Sequence, residues 1–245
     1  MWLMGLLLFA AGKVWLWQRM PKGVNAAAFV FLWPGMNIVD WQRKPPGSVK
    51  NHDEQAWYYG VECIMAGVIL FWGMGSLISH PWLAGWCGMA GLVLMLHFGV
   101  FRLLAVWWTS RGHDVRPIMI NPVAARSLSE FWGKRWNRAF RDLIHPLVFK
   151  PMLRKYGAAP ALWICFIVSG LIHELMISVP AGGGYGFPTL YFIIQALGIT
   201  AEKRLRITSW FFTYSITLGP VFLLFHPPFL ERVMLPFMHA LGAQP

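Results

Sequence analysis

Residues 56–79 read AWYYGVECIMAGVILFWGMGSLIS, a run in which Glu62 is the only charged residue. About 20 mainly apolar residues in a helix cross the hydrocarbon core of a bilayer. A soluble core has no use for several such runs, yet the chain carries more of them. Trp82–Trp108, Ala158–Val179 and Ile207–Phe225 are long, and Trp2–Trp17, Val24–Val39, Phe187–Thr200 and Phe229–Leu241 are shorter. Composition agrees: 57% of the 245 residues are hydrophobic and 13% charged, where soluble domains carry about 25% charged residues. The fold class is therefore all-α, a polytopic membrane helix bundle of about six or seven transmembrane or re-entrant helices. Residues 1–245 are expected to form one membrane-embedded domain.

Charge placement orients the bundle. Arg19 and Lys22 follow the first segment, and Arg43, Lys44 and Lys50 follow the second. Ten Lys or Arg residues lie between Arg111 and Lys155, and Lys203, Arg204 and Arg206 form a late basic turn. The turns at His80-Pro81 and Ala181–Gly186 have none. Cytoplasmic loops of membrane proteins are enriched in Lys and Arg. All these basic loops share one side if Val24–Val39, short and interrupted at Pro34-Gly35, enters and leaves on the same face. Irregular backbone of that kind is tolerated where protein buries it. The long polar stretch 109–156 is then a cytosolic-side amphipathic segment. The first segment lacks the basic n-region and cleavage site of a signal peptide and reads as a retained helix.

The net charge of +11 is not accompanied by a nucleic-acid-binding motif. It suits topology, anionic headgroups or an acidic cosubstrate instead. Cys63, Cys87 and Cys165 all lie in apolar segments without a CxxC pair, which gives neither a metal site nor a disulfide framework.

Polar residues within the membrane are costly and usually serve a function or a helix contact. VSGLIHEL (168–175) places His173 and Glu174 side by side in an apolar helix. Consecutive residues point about 100° apart on a helix, so the two face different ways. Ser169, four residues earlier, shares the face of His173. A neutral His there can act as a general base; a packing histidine bonded to a neighbouring helix is the alternative. In SLSEFWGKRWNRAFRDLIHP (127–146), Ser127 or Ser129 can cap a helix that begins near Glu130. Phe131, Trp132, Trp136, Phe140, Leu143 and Ile144 make an apolar stripe, with Lys134, Arg135, Arg138 and Arg141 on other faces. That describes an interfacial amphipathic helix. Asn137 in its centre is not required by such a helix, and a neutral amide can donate to an oxyanion.

Together, SLSEFWGKRWN at 127–137 and SGLIHEL at 169–175 resemble the membrane-bound O-acyltransferases, most of all the wax-synthase-like branch. The similarity continues through PAGGGYGFPTLYF (180–192) and LLFHPPFLERVMLPF (223–237), whereas residues 1–90 share only hydropathy. The resemblance implies transfer of an acyl group from acyl-CoA, as cosubstrate, to a hydroxyl acceptor such as a fatty alcohol. It makes His173 the general base and Asn137 the donor-orienting or oxyanion residue. Arg135, Arg138, Trp136, Ser169 and Glu174 become candidate substrate-binding residues, and no metal or other cofactor is required. A non-catalytic transporter or lipid-binding protein remains the alternative. The C-terminal HALGAQP shows no eukaryotic retention or lipidation signal, which turns the expectation towards a bacterial inner membrane.

The charge map has a direct check. Single cysteines introduced at 111–126 and at 203–206 should react with an impermeant thiol reagent from the same side, and probes at 182–184 from the other. Labelling of the two basic stretches from opposite faces would overturn the assigned topology.

Overall fold

The computed structural model describes residues 2–20, 26–42 and 54–243. The basic residues Lys22, Arg43, Lys44 and Lys50 lie outside them. Every regular element among the described residues is helical. The chain divides into two compact units, Leu8–Met119 with Met234–Pro245, and Met1–Leu7 with Ile120–Val233.

In the first of these units, α1 (Trp2–Trp17) contributes its second half. It is followed by the short α2 (Ala26–Leu32) and α3 (Ile38–Gln42). The break between α2 and α3 holds Pro34 and Gly35. Proline has no N–H to continue a helical ladder, so the last carbonyls of α2 need other partners. Lys13, 1% exposed, supplies one: its ammonium donates to Phe29 O at 2.9 Å and Gly35 O at 2.7 Å. It also lies 3.8 Å from the centroid of the Phe29 ring. Trp108 Nε1 donates to Leu32 O at 3.2 Å. The expectation that Val24–Val39 is interrupted holds for its described part, and Lys13 was not singled out in the sequence although it is the one charge in its segment.

The long elements of this unit are α4 (Glu54–Leu77) and α5 (Pro81–Ser110). They form a hairpin closed by the short link at Ile78–His80, where Pro81 starts α5. Their backbones meet at glycines. A Cβ on Gly67 would sit 2.6 Å from Gly91 O, and one on Gly91 would sit 2.8 Å from Gly67 O. Small residues at helix crossings are how membrane helices gain packing contact.

The second unit carries the motifs. It comprises α6 (Leu128–Glu130, continued by a wide turn over Phe131–Arg135), α7 (Arg138–Ile144), α8 (Lys150–Tyr156) and α9 (Ala158–Ala181). After these come α10 (Phe187–Leu205) and α11 (Trp210–Leu224). A bend of 58° separates α11 from α12 (Pro227–Ala240), at His226-Pro227-Pro228. By length and composition α4, α5 and α9 can each cross a bilayer, and the bent α11–α12 pair adds a fourth if it is one span. The expected six or seven helices thus resolve into three or four of span length with shorter apolar pieces between them: α2 and α3 are parted at Pro34-Gly35, α1 is only 16 residues long, and α10 carries Glu202, Lys203 and Arg204 in its last turn.

α9 and α10 pack antiparallel, and their backbones come close at Gly170. A Cβ there would lie 2.8 Å from Thr189 Cα, a backbone atom that no rotamer change can move aside. Gly170→Ala should therefore lower the thermal unfolding midpoint in detergent, by the equivalent of about 1–3 kcal/mol for overpacking. An unchanged midpoint would mean that the two helices are free to separate.

Candidate active site

α10 is the element on which both motifs converge. Thr189, Phe192, Gln195, Ala196, Ile199 and Glu202 recur every three or four residues along it and so share a face. From Phe192 onward these are all buried. Near its start, Glu174 Oε1 accepts from Gly186 N, Thr189 N and Thr189 Oγ1, each at 3.0 Å. Gly186 has no capping side chain of its own, so a carboxylate from α9 satisfies the first N–H groups of α10. Glu174, a candidate substrate residue in the sequence, is in the structure the bond between the two helices.

His173 is half-buried, with its ring 4.5 Å from Phe192 and 6.1 Å from Phe140, centroid to centroid. Its Nδ1 lies 2.7 Å from Ser169 O. A carbonyl oxygen only accepts, so Nδ1 carries the proton. In a neutral imidazole Nε2 then bears the lone pair. Ser169 shares the face as expected, but its hydroxyl donates to Cys165 O at 2.8 Å. Its carbonyl, not its side chain, reaches the histidine.

The 127–137 segment begins as foreseen, with Ser127 Oγ accepting from Glu130 N at 3.0 Å. It does not continue as one amphipathic helix. Trp136 N donates back to Phe131 O at 2.8 Å and ends the turn. Asn137 then takes a left-handed conformation, φ 39° and ψ 59°. Its Oδ1 accepts from Phe140 N at 3.2 Å, so Asn137 caps α7 rather than sitting mid-helix. Asn tolerates both the left-handed backbone and the N-cap position, which gives this residue a structural reason that the sequence reading lacked. The segment reaches the depth of His173: Trp132 lies 5.7 Å from Phe192, and Phe140 starts one turn after Asn137.

The arginines are used internally. Arg135 pairs with Glu130 at 2.7 Å and donates to Ile120 O and Asn121 O at 3.2 and 3.0 Å. Arg138 is buried, 8% exposed. Trp136 stacks on Phe131 with centroids 5.4 Å apart. Lys134 is the exposed cation of this motif, and Lys150, Arg154 and Lys155 are exposed beyond it.

Four polar residues of this unit escaped the sequence reading. Gln195, fully buried, accepts from Trp132 Nε1 at 3.2 Å and donates to Ile216 O at 2.7 Å. Glu202 accepts from Leu128 N and Ser129 N. His226, also fully buried, accepts at Nδ1 from Phe229 N, so its Nε2–H faces Ser178 Oγ at 3.2 Å. That hydroxyl donates to Gly184 O at 3.3 Å, and Gly184, at φ 72°, has no room for a Cβ beside the imidazole. A polar residue in an apolar run was the available signal for Gln195 and His226.

Residues 115–194 match the sequence profile of the membrane bound O-acyl transferase family, a stretch that takes in both motif segments. The resemblance drawn from those motifs is thereby borne out. Among curated proteins, the chain is 23% identical over 176 residues to "Probable long-chain-alcohol O-fatty-acyltransferase 3" of Arabidopsis thaliana, covering 66% of this chain and 52% of that one. It is 29% identical to "Probable long-chain-alcohol O-fatty-acyltransferase 1" of the same plant, covering 84% and 62%. It is 30% identical to the "Long-chain-alcohol O-fatty-acyltransferase" of Simmondsia chinensis, covering 38% and 30%. The chain spans about half the length of the curated relatives it matches. These relatives are plant proteins and give no support to a bacterial inner membrane; the apolar helices and the family match support a multi-pass membrane protein.

Outside the membrane-spanning helices, the backbone N–H of Arg126 and the Arg135 guanidinium hold the Glu130 carboxyl below its usual 4.5. A lowered folded-state value contributes stability that is complete above about 4.5 and is lost as pH falls through the folded value. Glu130→Gln should therefore lower the unfolding midpoint at neutral pH, and the difference from wild type should close on acidification below 4.5. A gap independent of pH would remove Glu130 as its source.

Proposed function

We propose that this chain is an acyl-CoA-dependent O-acyltransferase, with a long-chain alcohol as acceptor in keeping with the names of its relatives. The observation that carries the reading is the committed tautomer of His173, whose Nδ1 is bonded to Ser169 O. This leaves Nε2 to take a proton, beside the segment that bears Asn137.

In this reading the acceptor O–H gives its proton to His173 Nε2 while its oxygen attacks the thioester carbonyl. The carbonyl oxygen becomes an oxyanion, towards which the Asn137 amide donates. Collapse breaks the C–S bond, and the CoA thiolate takes the proton back from the imidazolium, giving ester and free CoA. Arg135, Arg138, Trp136, Ser169 and Glu174 belong to the segments 127–146 and 168–175 that bear this centre. The hydrogen bonds of Arg135, Ser169 and Glu174 make those three its supports. Lys134, exposed next to Arg135, is the group we propose to meet donor phosphates. His173 lies fifteen residues into α9 from Ala158, about 22 Å at 1.5 Å per residue. The acyl donor must therefore thread inward beside Trp132 and Phe140 for its thioester to reach the base.

His173→Ala should abolish CoA release by the purified protein while expression and unfolding midpoint stay near wild type, since a general base contributes typically about 10²–10⁴ in rate. Full activity in folded His173→Ala would refute the mechanism. Asn137→Asp separates cap from chemistry: it keeps the acceptor that caps α7 but removes the amide donor. It should fold normally and lose on the order of 10²–10³ in kcat. Retained kcat in that variant would assign Asn137 to the helix cap alone.

A further inference from the structure

We infer that Glu202 is a positioning residue for acyl transfer, fixing the 128–137 segment in register on α10; this inference rests on the acyltransferase reading above. Three observations converge on it. First, the N-terminal donors of α6 are fully accounted for, and half of them depend on this one side chain. Glu202 Oε2 accepts from Leu128 N and Oε1 from Ser129 N, the latter at 3.3 Å. Ser127 Oγ takes Glu130 N at 3.0 Å and Ser127 O takes Phe131 N at 2.9 Å. Without Glu202, two N–H groups at a buried helix start lose their partners.

Second, the carboxylate is itself buried, 6% exposed, and no cationic side chain among the described residues lies within ion-pair distance of it. A buried carboxylate is costly unless its hydrogen bonds compensate. Here the compensation comes from backbone N–H groups aligned with the positive end of a helix dipole. The side chain therefore has one strongly preferred partner, and its partner has one strongly preferred place. Third, α10 is shaped to receive that place. One turn before Glu202, a Cβ on Gly198 would lie 2.6 Å from Leu128 Cδ1, and Leu128 is fully buried.

The consequence reaches the reaction centre through geometry. Glu202 fixes the start of the segment, and Gln195, two turns back along α10, holds Trp132 by Nε1 at 3.2 Å. One further turn back, Phe192 touches His173. Sliding the segment along α10 would carry Trp132 and Asn137 away from the histidine together. Glu202 has no place in the chemistry. It sets where the groups that do have one are held.

The test uses the full-length protein in detergent, with Glu202→Gln as an isosteric variant. CoA release should fall by on the order of ten- to a hundredfold in kcat, the scale of an ångström-level misplacement, with the KM for the alcohol nearly unchanged. In an Asn137→Asp background the same substitution should cost less than about twofold, because both act on one step. Equal fold losses in the two backgrounds, or no loss in the first, overturn the inference. Hydrogen exchange over 128–137 gives an outcome independent of turnover: it should be at least about tenfold faster in Glu202→Gln than in wild type. Unchanged exchange overturns the tie itself. Wild-type protein that releases no CoA but shows the exchange difference would sink the acyltransferase reading. It would reduce Glu202 to a helix cap, which also counts against this inference.

Discussion

A carboxylate from one helix closing the N-terminus of another is the interaction on which the motif-bearing unit depends. It is used twice. Glu174, on α9, takes the first N–H groups of α10, and Glu202, at the far end of α10, takes those of α6. Within a bilayer or a protein buried in one, water is not available to satisfy the ends of broken helices. Side chains must do it, and carboxylates do it best at the positive end of the helix dipole. Because each such bond has few alternatives, it also fixes which helix lies against which.

The same constraint explains the other unit. Its second apolar stretch is cut at Pro34-Gly35, and the carbonyls this releases are met by Lys13 and by the Trp108 indole. A lysine in an apolar helix looks like an error in a hydropathy profile. In the folded chain it is the donor that allows a broken segment to be buried.

The site follows from these anchors rather than from the motifs alone. His173 and Glu174 are adjacent and point apart, and the division of labour is set by that angle. One residue bonds back to its own helix through Ser169 O and keeps Nε2 unprotonated; the other bonds forward to the next helix. Asn137 likewise combines a backbone requirement, the left-handed turn into α7, with the amide that the proposed chemistry uses. Where one residue serves structure and reaction together, substitution by alanine removes both, and only a variant that keeps one of them can tell the two apart.

Hydropathy along the chain sufficed to determine that it is helical and membrane-embedded, since an apolar run of span length has few other uses. Two short motifs made His173 and Asn137 candidates, through a family resemblance rather than through hydropathy. Local pattern also narrowed the cap to Ser127 or Ser129, and the structure gives it to Ser127, a contact between residues three apart. The number of span-length helices was beyond it, since whether the runs on either side of the His226-Pro227-Pro228 corner make one span depends on the 58° bend between them. Gln195, Glu202 and Lys13 were beyond it too. Their partners, Trp132, the Leu128 and Ser129 amides, and the Phe29 carbonyl, lie between 16 and 74 residues away. Hydrophobic period reports which face a residue occupies; which orphan backbone group that face will meet is decided only when another helix is laid against it.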